Sequence, residues 1–574
     1  MLSSLRLLLP LLTLLTGVAC AGGQPSTRLS EPRAADSRMS QRTLVLANRG
    51  EPPQLASRRV GSTGSLTWGF TLRLPNAYLT LTDANGQVLP YLTESRPALN
   101  TDTWRIAPDG TMETTYRLRP GLAWHDGAPL TAEDFVIAWT LYSIPELGQT
   151  GDVPLKFMSD VLAPDPQTVV IRWNASYPDA DHIDTDFPPL PRHILDAPLR
   201  DALASRNYET LINQRFWNFE YVGAGPFKLD RWEPGAFMEF SAFDGHVLGR
   251  PKIERVKVQF IGDSNVVLAG LLSGDVSVSI DDSIRFEQAS VLRKQWGDRG
   301  IVIMTPTQQR YTYMQLNPQY QRPASLSDLR VRRALAHTID REMLNEGLFE
   351  GNGQMSDTMV PSTSPIYPQV ERTIAHYTYD PRRAEQLMNE AGYTKGSDGF
   401  FTHPTYGRFD SEYKVLDSTN NVTEATILSD LWRRTGFNIQ QGVFSPQQAA
   451  DNEARATFIG LSSTSGSGLT YPFAVATWHV SQVPTAQNRW RGSNRSGWSD
   501  PDYDRLSDAL ATTLDRSARD QLVLSALKIL HDEVPYHTLY FGLGVLAYNR
   551  GLSGPRLTVP ETNYSWDIHT WDWQ

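Results

Sequence analysis

Ser525 and Lys528 form the pattern in this chain that comes closest to a catalytic motif, because they have the Ser-x-x-Lys spacing of penicillin-recognising enzymes. The pair lies in LVLSALKILHDEVP, whose leucines have the spacing of a packed helix, and the sequence contains no Lys-Thr-Gly partner. A hydrolase needs a nucleophile, a base and an orienting group, and no such set can be named in this sequence. We therefore predict no catalytic residues and no enzyme activity.

Patterns that would bind metal ions or phosphates are also incomplete. The 11 histidines are scattered, and His-Glu-x-x-His does not occur. The WHDG segment at 124–127 is explained by a hairpin turn, and the His-Asp-Glu run at 531–533 is consecutive on a helix, so its side chains cannot all face one ion. Gly223-Ala-Gly225 is followed by proline and lacks the Lys-Ser/Thr of a phosphate loop. We predict no metal ion and no cofactor.

The length and charge of the chain limit its class. A chain of 574 residues with 40% hydrophobic content is too long for one core and fills two or three domains. The formal net charge is −10 and no long basic run occurs, which argues against nucleic acid as a partner.

The N-terminus carries the strongest signal for localisation. MLSSLRLLLPLLTLLTGVAC contains Arg6, an apolar run too short to span a bilayer, and small residues before Cys20. We expect 1–19 to be a signal peptide, Cys20 to be acylated as in a lipoprotein, and 20–40 to be a flexible tether. The alternative is an ordinary signal peptide. Cys20 is the single cysteine, so no disulfide is expected.

Strand and helix patterns alternate along the rest of the chain, which indicates an α/β class. KIERVKVQFI alternates as a strand, and LTAEDFVIAWTLY predicts a helix with Thr131 as N-cap and Asp134 at the third helical position. SDLRVRRALAHTIDREMLNEGLF predicts helical structure, in which RVRRAL belongs to one apolar stripe and Arg332 and Arg333 lie on the outer face.

Five segments in collinear order resemble one protein family. They are LRPGLAWHDGAPLTAEDFVIAW (118–139), VGAGPFKLDRWEPGAFMEF (222–240), GRPKIERVKVQFIGDSNVVLAGLLSGDVSVSI (249–280), YMQLNPQY with LSDLRVRRALAHTIDRE (313–342), and YDPRRAEQLMNEAGY (379–393). Together they are similar to the extracytoplasmic solute-binding proteins of ABC importers, in the oligopeptide, dipeptide and nickel-binding group.

The resemblance implies a two-lobed periplasmic-binding-protein fold of type II, with ligand enclosed between the lobes and a hinge joining them. By similarity, 41–300 form the first lobe, including an extra subdomain at about 85–187. Residues 301–548 form the second lobe, and 549–574 return to the first. The HDG motif at 125–127 and the RVRRAL motif are expected to hold the fold rather than the ligand.

The resemblance also implies where a ligand binds. In the peptide-binding members an aspartate of the second lobe pairs with the α-amino group of the peptide, and the collinear stretch here is LSSTSGSGLTYPF (461–473). It contains no acid, and none occurs between Glu453 and Asp500. A buried ammonium group would lack its counter-ion there. This leaves open a peptide held by another acid, and a non-peptide solute such as an opine or a sugar-like molecule.

Candidate ligand-binding residues lie on the loops that would face the cleft. Hydroxyls suit neutral polar groups, aromatic rings suit stacking, and arginine suits a carboxylate. The candidates are Arg49, Gly50 and Glu51 on the first loop, Asp281 and Asp282 after the SGDV turn, Asn420 and Asn421, Ser465 and Ser467, Tyr471, Trp478, Arg489 and Trp490. The alternative for the Ser/Gly run is a mobile surface loop, and for the aromatic residues a place in the core.

The resemblance implies a receptor rather than an enzyme, and the alternative class is an extracytoplasmic enzyme or chaperone-like protein on the same fold. The expected protein is a monomeric substrate-binding component of an ABC import system, by default for peptides. It would be located outside the cytoplasm, as a periplasmic or cell-surface lipoprotein, and would deliver its ligand to a membrane permease.

Overall fold

The computed structural model describes residues 43–58, 60, 69–147, 153–466, 475–556 and 565–574. Of the residues predicted to carry function, Cys20, Ser467 and Tyr471 lie outside the described residues. Among the described residues, the α-helices are Gly69–Leu72, Glu133–Tyr142, Arg192–Ser205, Glu209–Ile212, Ser264–Ser273, Phe286–Trp296, Leu329–Ala336, Arg341–Phe349, Tyr367–Thr373, Pro381–Glu390, Thr419–Thr435, Pro446–Ala450, Asn452–Ala456, Pro501–Thr512 and Arg516–Glu533.

One large mixed sheet runs through both halves of the molecule. Its strands lie in the order Asn438–Val443, Asp410–Val415, Leu461–Gly466, Gly300–Met314, Tyr536–Asn549, Val278–Ser279, Thr43–Asn48, Arg255–Phe260, Phe237–Ala242 and Phe227–Glu233, and Gln354–Met355 also pairs with Tyr536–Asn549. The two central strands are the longest in the sheet, and they pair with each other antiparallel along most of their length.

Two lobes form on either side of an irregularity in these central strands. Their pairing shifts between Pro306 and Gln309, opposite a segment that contains Gly542 and Gly544. Proline and glycine weaken a strand where they occur, so the sheet is weakest at this point. Gly300–Met314 and Tyr536–Asn549 are therefore the strands through which the chain crosses between the lobes.

Each lobe has its own apolar core. The first lobe packs a large cluster that includes Leu44, Tyr116, Phe240 and, from the C-terminal residues, Trp571. The second lobe packs one cluster on each face of its part of the sheet, with helices Leu329–Ala336 and Thr419–Thr435 on one side and Pro501–Thr512 and Arg516–Glu533 on the other.

An additional antiparallel sheet belongs to the first lobe. Its strands lie in the order Trp104–Ile106, Met112–Arg117, Thr168–Trp173 and Met158–Asp165. The remaining strands form short pairs or triplets: Thr80–Thr82 with Val88–Pro90, Thr394–Lys395 with Phe401–His403 and Gly407–Arg408, and Leu552–Ser553 with Asp572–Trp573.

Two of the sequence motifs interlock. The His125 ring bonds the carbonyl oxygen of Gly225 at 3.0 Å through Nε2 and accepts the Gly223 N–H at 3.2 Å through Nδ1. A Cβ at Gly223 would lie 1.8 Å from the carbonyl oxygen of Pro75, so only glycine fits there. Gly127 has φ +89°, as the turn requires. The HDG and GAG motifs thus hold the first lobe together.

Two local predictions were wrong in detail. The helix predicted from Thr131 begins at Glu133, and the Asp134 carboxylate reaches back to accept the Thr131 N–H at 2.7 Å. Arg332 does not lie on an outer face, because its side chain is 6% exposed and donates to Glu533, both at the carboxylate (3.0 Å) and at the carbonyl oxygen (2.8 Å). Arg333 beside it is half-buried.

Candidate functional site

Two parallel strands of the first lobe end at the same edge of the sheet. Thr43–Asn48 and Val278–Ser279 pair with Leu46 opposite Val278, so the segments that follow them lie side by side. Ligands of open α/β sheets bind outside the carboxyl ends of such strands. The structure thereby brings together the predicted first-lobe residues, 49–51 and 281–282.

Asp281 is used by the fold at this edge. Its carboxylate accepts hydrogen bonds from Asn48 Nδ2 (3.2 Å), from the backbone N–H groups of Phe70 (3.1 Å) and Thr71 (3.3 Å), and from the Thr71 hydroxyl (2.9 Å). Burial raises the pKa of Asp281 to about 7 although these hydrogen bonds favour the charged form. With its acceptor positions occupied, Asp281 holds helix Gly69–Leu72 in place, and this geometry argues against the predicted contact with a ligand.

Some of the neighbouring candidate residues also form hydrogen bonds within the fold, and others are exposed. Glu51 accepts Trp232 Nε1 at 2.5 Å and the Gly235 N–H at 3.0 Å, and this ties the first loop to the hairpin beside it. Gly50 donates its N–H to the side chain of Asn48 at 3.2 Å. Arg49 and Asp282 are exposed. Of the predicted first-lobe residues, Arg49 and Asp282 are therefore the ones that face solvent.

The second lobe has a matching edge. Asp410–Val415 and Leu461–Gly466 are parallel, with Tyr413 opposite Leu461 and Lys414 opposite Ser462. Asp417 follows the end of Asp410–Val415, and Ser465 lies near the end of Leu461–Gly466, so both lie at the same edge of the sheet, and both are exposed. Asp417 was not among the predicted residues, because its place at this edge depends on a strand pairing between distant parts of the chain.

The predicted asparagines lie at the start of the helix that follows Asp417. Ser418 is the N-cap of Thr419–Thr435, and its hydroxyl accepts the Asn421 N–H at 3.2 Å. The Asn421 side chain donates to the carbonyl oxygen of Leu416 at 2.9 Å. The side chain of Asn420 is half-buried. Asn421 is thus a turn-stabilising residue at this edge.

A buried ion pair lies inside the second lobe beside the crossing strands. Arg310 donates to the Glu424 carboxylate through Nε (2.9 Å) and Nη2 (3.1 Å), and also to the Ser463 hydroxyl (2.5 Å). The hydroxyls of Tyr413 and Tyr540 each donate to the same carboxylate at 2.6 Å. The Glu424 side chain is 0% exposed and that of Arg310 is 8% exposed. Burial alone would lower the pKa of Arg310, but Glu424 raises it overall.

The predicted aromatic and arginine candidates lie away from this edge. Trp478 is 2% exposed and stacks on Tyr536 with ring centroids 4.3 Å apart. It is therefore a core residue, which was the alternative to ligand binding. Trp490 packs on Tyr320 at 6.3 Å, and Tyr320 follows the end of Gly300–Met314 that is remote from the crossing point. Arg489, adjacent to Trp490, is exposed there. These placements argue against ligand contact for all three residues.

The described part of the chain contains no group of three or more His, Cys, Asp or Glu residues that could hold a metal ion. In the same residues, no helix is both long and apolar enough to cross a membrane.

Comparison with other proteins identifies the family. Residues 94–484 match the family described as "Bacterial extracellular solute-binding proteins, family 5 Middle". Relatives from Brucella ovis and Brucella abortus are 28% identical over 349 residues, and the match spans 58% of this chain and 58% of each relative. The oligopeptide-binding protein AppA of Bacillus subtilis is 23% identical over 563 residues, 96% of each chain.

Solved structures show the same fold. The oligopeptide-binding protein of Thermus thermophilus with a pentapeptide superimposes with a TM-score of 0.71 at 22% identity, covering 93% of this chain and 96% of the other. NikA of Brucella suis with Fe(III)-EDTA gives a TM-score of 0.74 at 17% identity, covering 93% and 100%. The fold is the two-lobed fold of these binding proteins, and the family match extends through both lobes. The chain belongs to the family 5 bacterial extracellular solute-binding proteins.

Proposed function

We propose that the protein is the substrate-binding receptor of an ABC import system outside the cytoplasm, and that it encloses a peptide with a free N-terminus between its lobes. The family match and the peptide-binding relatives support a receptor. Such a receptor needs a cleft and two states, because a ligand that touches both lobes favours the closed form that a permease recognises. No catalytic role is assigned to any residue.

The observation that carries the ligand class is the position of Asp417. The stretch 461–473 has no acid of its own, but Asp417 follows the parallel neighbouring strand at the edge of the sheet where Leu461–Gly466 ends. An exposed carboxylate there supplies the counter-ion that an ammonium group needs when it is enclosed. Arg49 on the first-lobe edge suits a carboxylate at the other end of the ligand.

The hydroxyl groups of the same stretch support a peptide over a sugar-like solute. Ser462 donates to the carbonyl oxygen of Lys414 at 3.0 Å, and the Ser463 hydroxyl accepts from Arg310. Two of the hydroxyls that would have suited a neutral ligand are therefore used by the fold. Ser465 is the exposed serine of strand Leu461–Gly466.

Calorimetric titration with pentaalanine and N-acetyl-pentaalanine tests this function. We expect the free peptide to bind and the acetylated peptide to bind at least about tenfold more weakly, because a charge-assisted hydrogen bond contributes about 1.5–3 kcal/mol. Asp417→Asn should reduce affinity for the free peptide by a similar factor, whereas Asp430→Asn, on the exposed face of the adjoining helix, should not. If Asp417→Asn binds the free peptide as well as the unsubstituted chain does, the assignment of Asp417 is wrong. If oligosaccharides or opines bind and no peptide does, the ligand class is wrong.

A second prediction concerns attachment to the membrane. We propose that Cys20 is acylated after removal of the signal peptide, since it is the single cysteine and follows a short apolar run. Cys20→Ser is then expected to move the protein from the membrane fraction to the soluble fraction and to abolish incorporation of labelled fatty acid. Ala19→Ser, which leaves the thiol in place, is the control. Membrane association that persists in Cys20→Ser would contradict a lipid anchor.

A further inference from the structure

Besides the two crossing strands, a charged contact joins the lobes. Arg519 Nη1 lies 3.2 Å from Asp179 Oδ1, and the two side chains are 15% and 37% exposed. Asp179 follows the strand Thr168–Trp173 of the first lobe, and Arg519 belongs to helix Arg516–Glu533 of the second. The pair thus connects segments that are separate from the backbone crossing.

Both ends of the pair are held firmly by their own lobe. Next to Asp179, the carbonyl oxygen of Ala180 accepts the buried Tyr116 hydroxyl at 2.6 Å, and the carbonyl oxygen of Asp179 accepts the His182 N–H at 2.9 Å. Arg519 lies in the first turn of its helix, where its N–H donates to the N-cap residue Asp515 at 3.0 Å. Neither residue can follow its partner far if the lobes move.

The helix that carries Arg519 reaches from the second lobe towards the first. It ends at Glu533, just before the strand Tyr536–Asn549, and its 18 residues make it about 27 Å long. Its N-terminal end is close to the first lobe, because Leu514, just before the helix, packs against the first-lobe core. The Arg519 side chain is largely enclosed and its Nε is buried without a hydrogen-bond partner in the described structure.

The interlobe contacts beside the crossing point are an aromatic contact and an ion pair that is more exposed than Asp179–Arg519. Helix Phe286–Trp296 packs on the crossing strands, and Phe286 meets Phe349 of the second lobe with ring centroids 5.7 Å apart. Lys294 and Glu350 lie 3.6 Å apart there, but their side chains are 72% and 63% exposed. An exposed pair of this kind contributes little, whereas the more enclosed Asp179–Arg519 pair is screened less by solvent.

We propose that Asp179 and Arg519 are positioning residues for ligand binding: their ion pair forms only over a narrow range of interlobe angles and stabilises the arrangement seen in this structure. Rotation of one lobe about the crossing strands must break the pair, since both ends are anchored. The pair therefore biases the balance between lobe arrangements, and it sets ligand affinity through the fraction of molecules that are ready to bind. This inference does not depend on what the ligand is.

Single-molecule energy transfer on the ligand-free protein tests the proposal. The single cysteine allows labels to be placed at Asp201→Cys in the first lobe and Glu342→Cys in the second, in a Cys20→Ser chain. Both labelling positions are exposed on helices. In Arg519→Gln, the population of the present arrangement relative to others should fall by up to about fivefold, the upper range for a solvent-accessible ion pair. Asp179→Asn should have the same effect, and the exchanged pair Asp179→Arg with Arg519→Asp should restore the original distribution.

Arg434→Gln is the matched control, because Arg434 pairs with Asp430 at 2.5 Å within one helix of the second lobe. It removes the same charge without touching the first lobe, so its distribution should equal that of the unsubstituted chain. The unsubstituted chain should also lose the present arrangement as NaCl rises from about 0.05 M to about 0.5 M, because salt screens the pair. This salt series tests the proposal even if a variant does not fold. A distance distribution that stays the same in folded Arg519→Gln, or across the salt series, would overturn it.

Discussion

Glu424→Ala is expected to lower the free energy of unfolding by about 3–5 kcal/mol, the cost of breaking a buried ion pair by removing one partner. The substitution leaves the Arg310 guanidinium enclosed without its counter-ion, and the Ser463 hydroxyl remains as a hydrogen-bond partner. It also removes the acceptor of the Tyr413 and Tyr540 hydroxyls. Three groups lose hydrogen bonds at once, in a place that water does not reach. Urea unfolding followed by circular dichroism measures the change.

Two further variants separate the ion pair from the helix that carries it. Asp430→Ala lies on the exposed face of the same helix and is expected to change the free energy of unfolding by less than about 0.5 kcal/mol. Arg310→Met combined with Glu424→Leu removes both charges and is expected to recover much of the loss, since apolar residues of similar volume often replace a buried pair at little cost. A Glu424→Ala protein as stable as Asp430→Ala would show that the pair contributes nothing to the fold.

Acidification is expected to destabilise the protein steeply below about pH 6.5 because several histidines are buried in their neutral form. Burial lowers the pKa of His125 and His531 to about 4 and that of His246 and His537 to about 3. Above pH 6.5 these groups are neutral in both the folded and the unfolded chain. As the pH falls below 6.5, the unfolded chain binds protons that the folded chain cannot, so stability is lost until the folded pKa is reached. Each group contributes up to about 1.4 kcal/mol per pH unit.

His531→Gln isolates one of these contributions. The free energy of unfolding between about pH 7.5 and about pH 5 should fall by about 2 kcal/mol less in this variant than in the unsubstituted chain. Asp281 has the opposite effect, because its raised pKa means that its contribution is lost as the pH rises through about 7. The contribution of Asp281 to the pH dependence is the same in both proteins, so it cancels when their free energies of unfolding are compared. The exposed His193→Gln is the control. An equal pH dependence in His531→Gln and the unsubstituted chain would contradict a neutral buried His531.

Local patterns predicted the elements and part of the site. Alternation and helix-start signals near KIERVKVQFI and SDLRVRRAL correspond to the strand Arg255–Phe260 and the helix Leu329–Ala336. Arg49 and Asp282 could be chosen because loops that follow parallel strands meet at one edge. Their neighbours Glu51 and Asp281 look the same in the sequence. Only the partners contributed by Trp232 and Thr71 show that the fold uses them.

What could not be predicted depends on partners that are distant in the chain. Arg310 and Glu424 are 114 residues apart, and Arg332 and Glu533 are 201 apart, so the residues next to each charge in the sequence do not show that it has a partner. The same holds for Asp417, whose place at the edge where Leu461–Gly466 ends follows from strand pairing rather than from neighbouring residues. A charged side chain can be buried when a partner from a distant part of the chain pairs with it. A single sequence does not show which distant residues pair.

The crossing strand Tyr536–Asn549 has a consequence for how the chain matures. Its last residues lie between Gly300–Met314 and Val278–Ser279, where Tyr548 pairs with Val278, and Trp571 packs in the same lobe. The first lobe to leave a ribosome or a translocation channel therefore lacks a central strand until the last part of the chain has emerged. Until then it exposes unpaired strand edges, which are the features most prone to aggregation. We therefore expect the first lobe to complete its folding only after the C-terminal part of the chain has emerged.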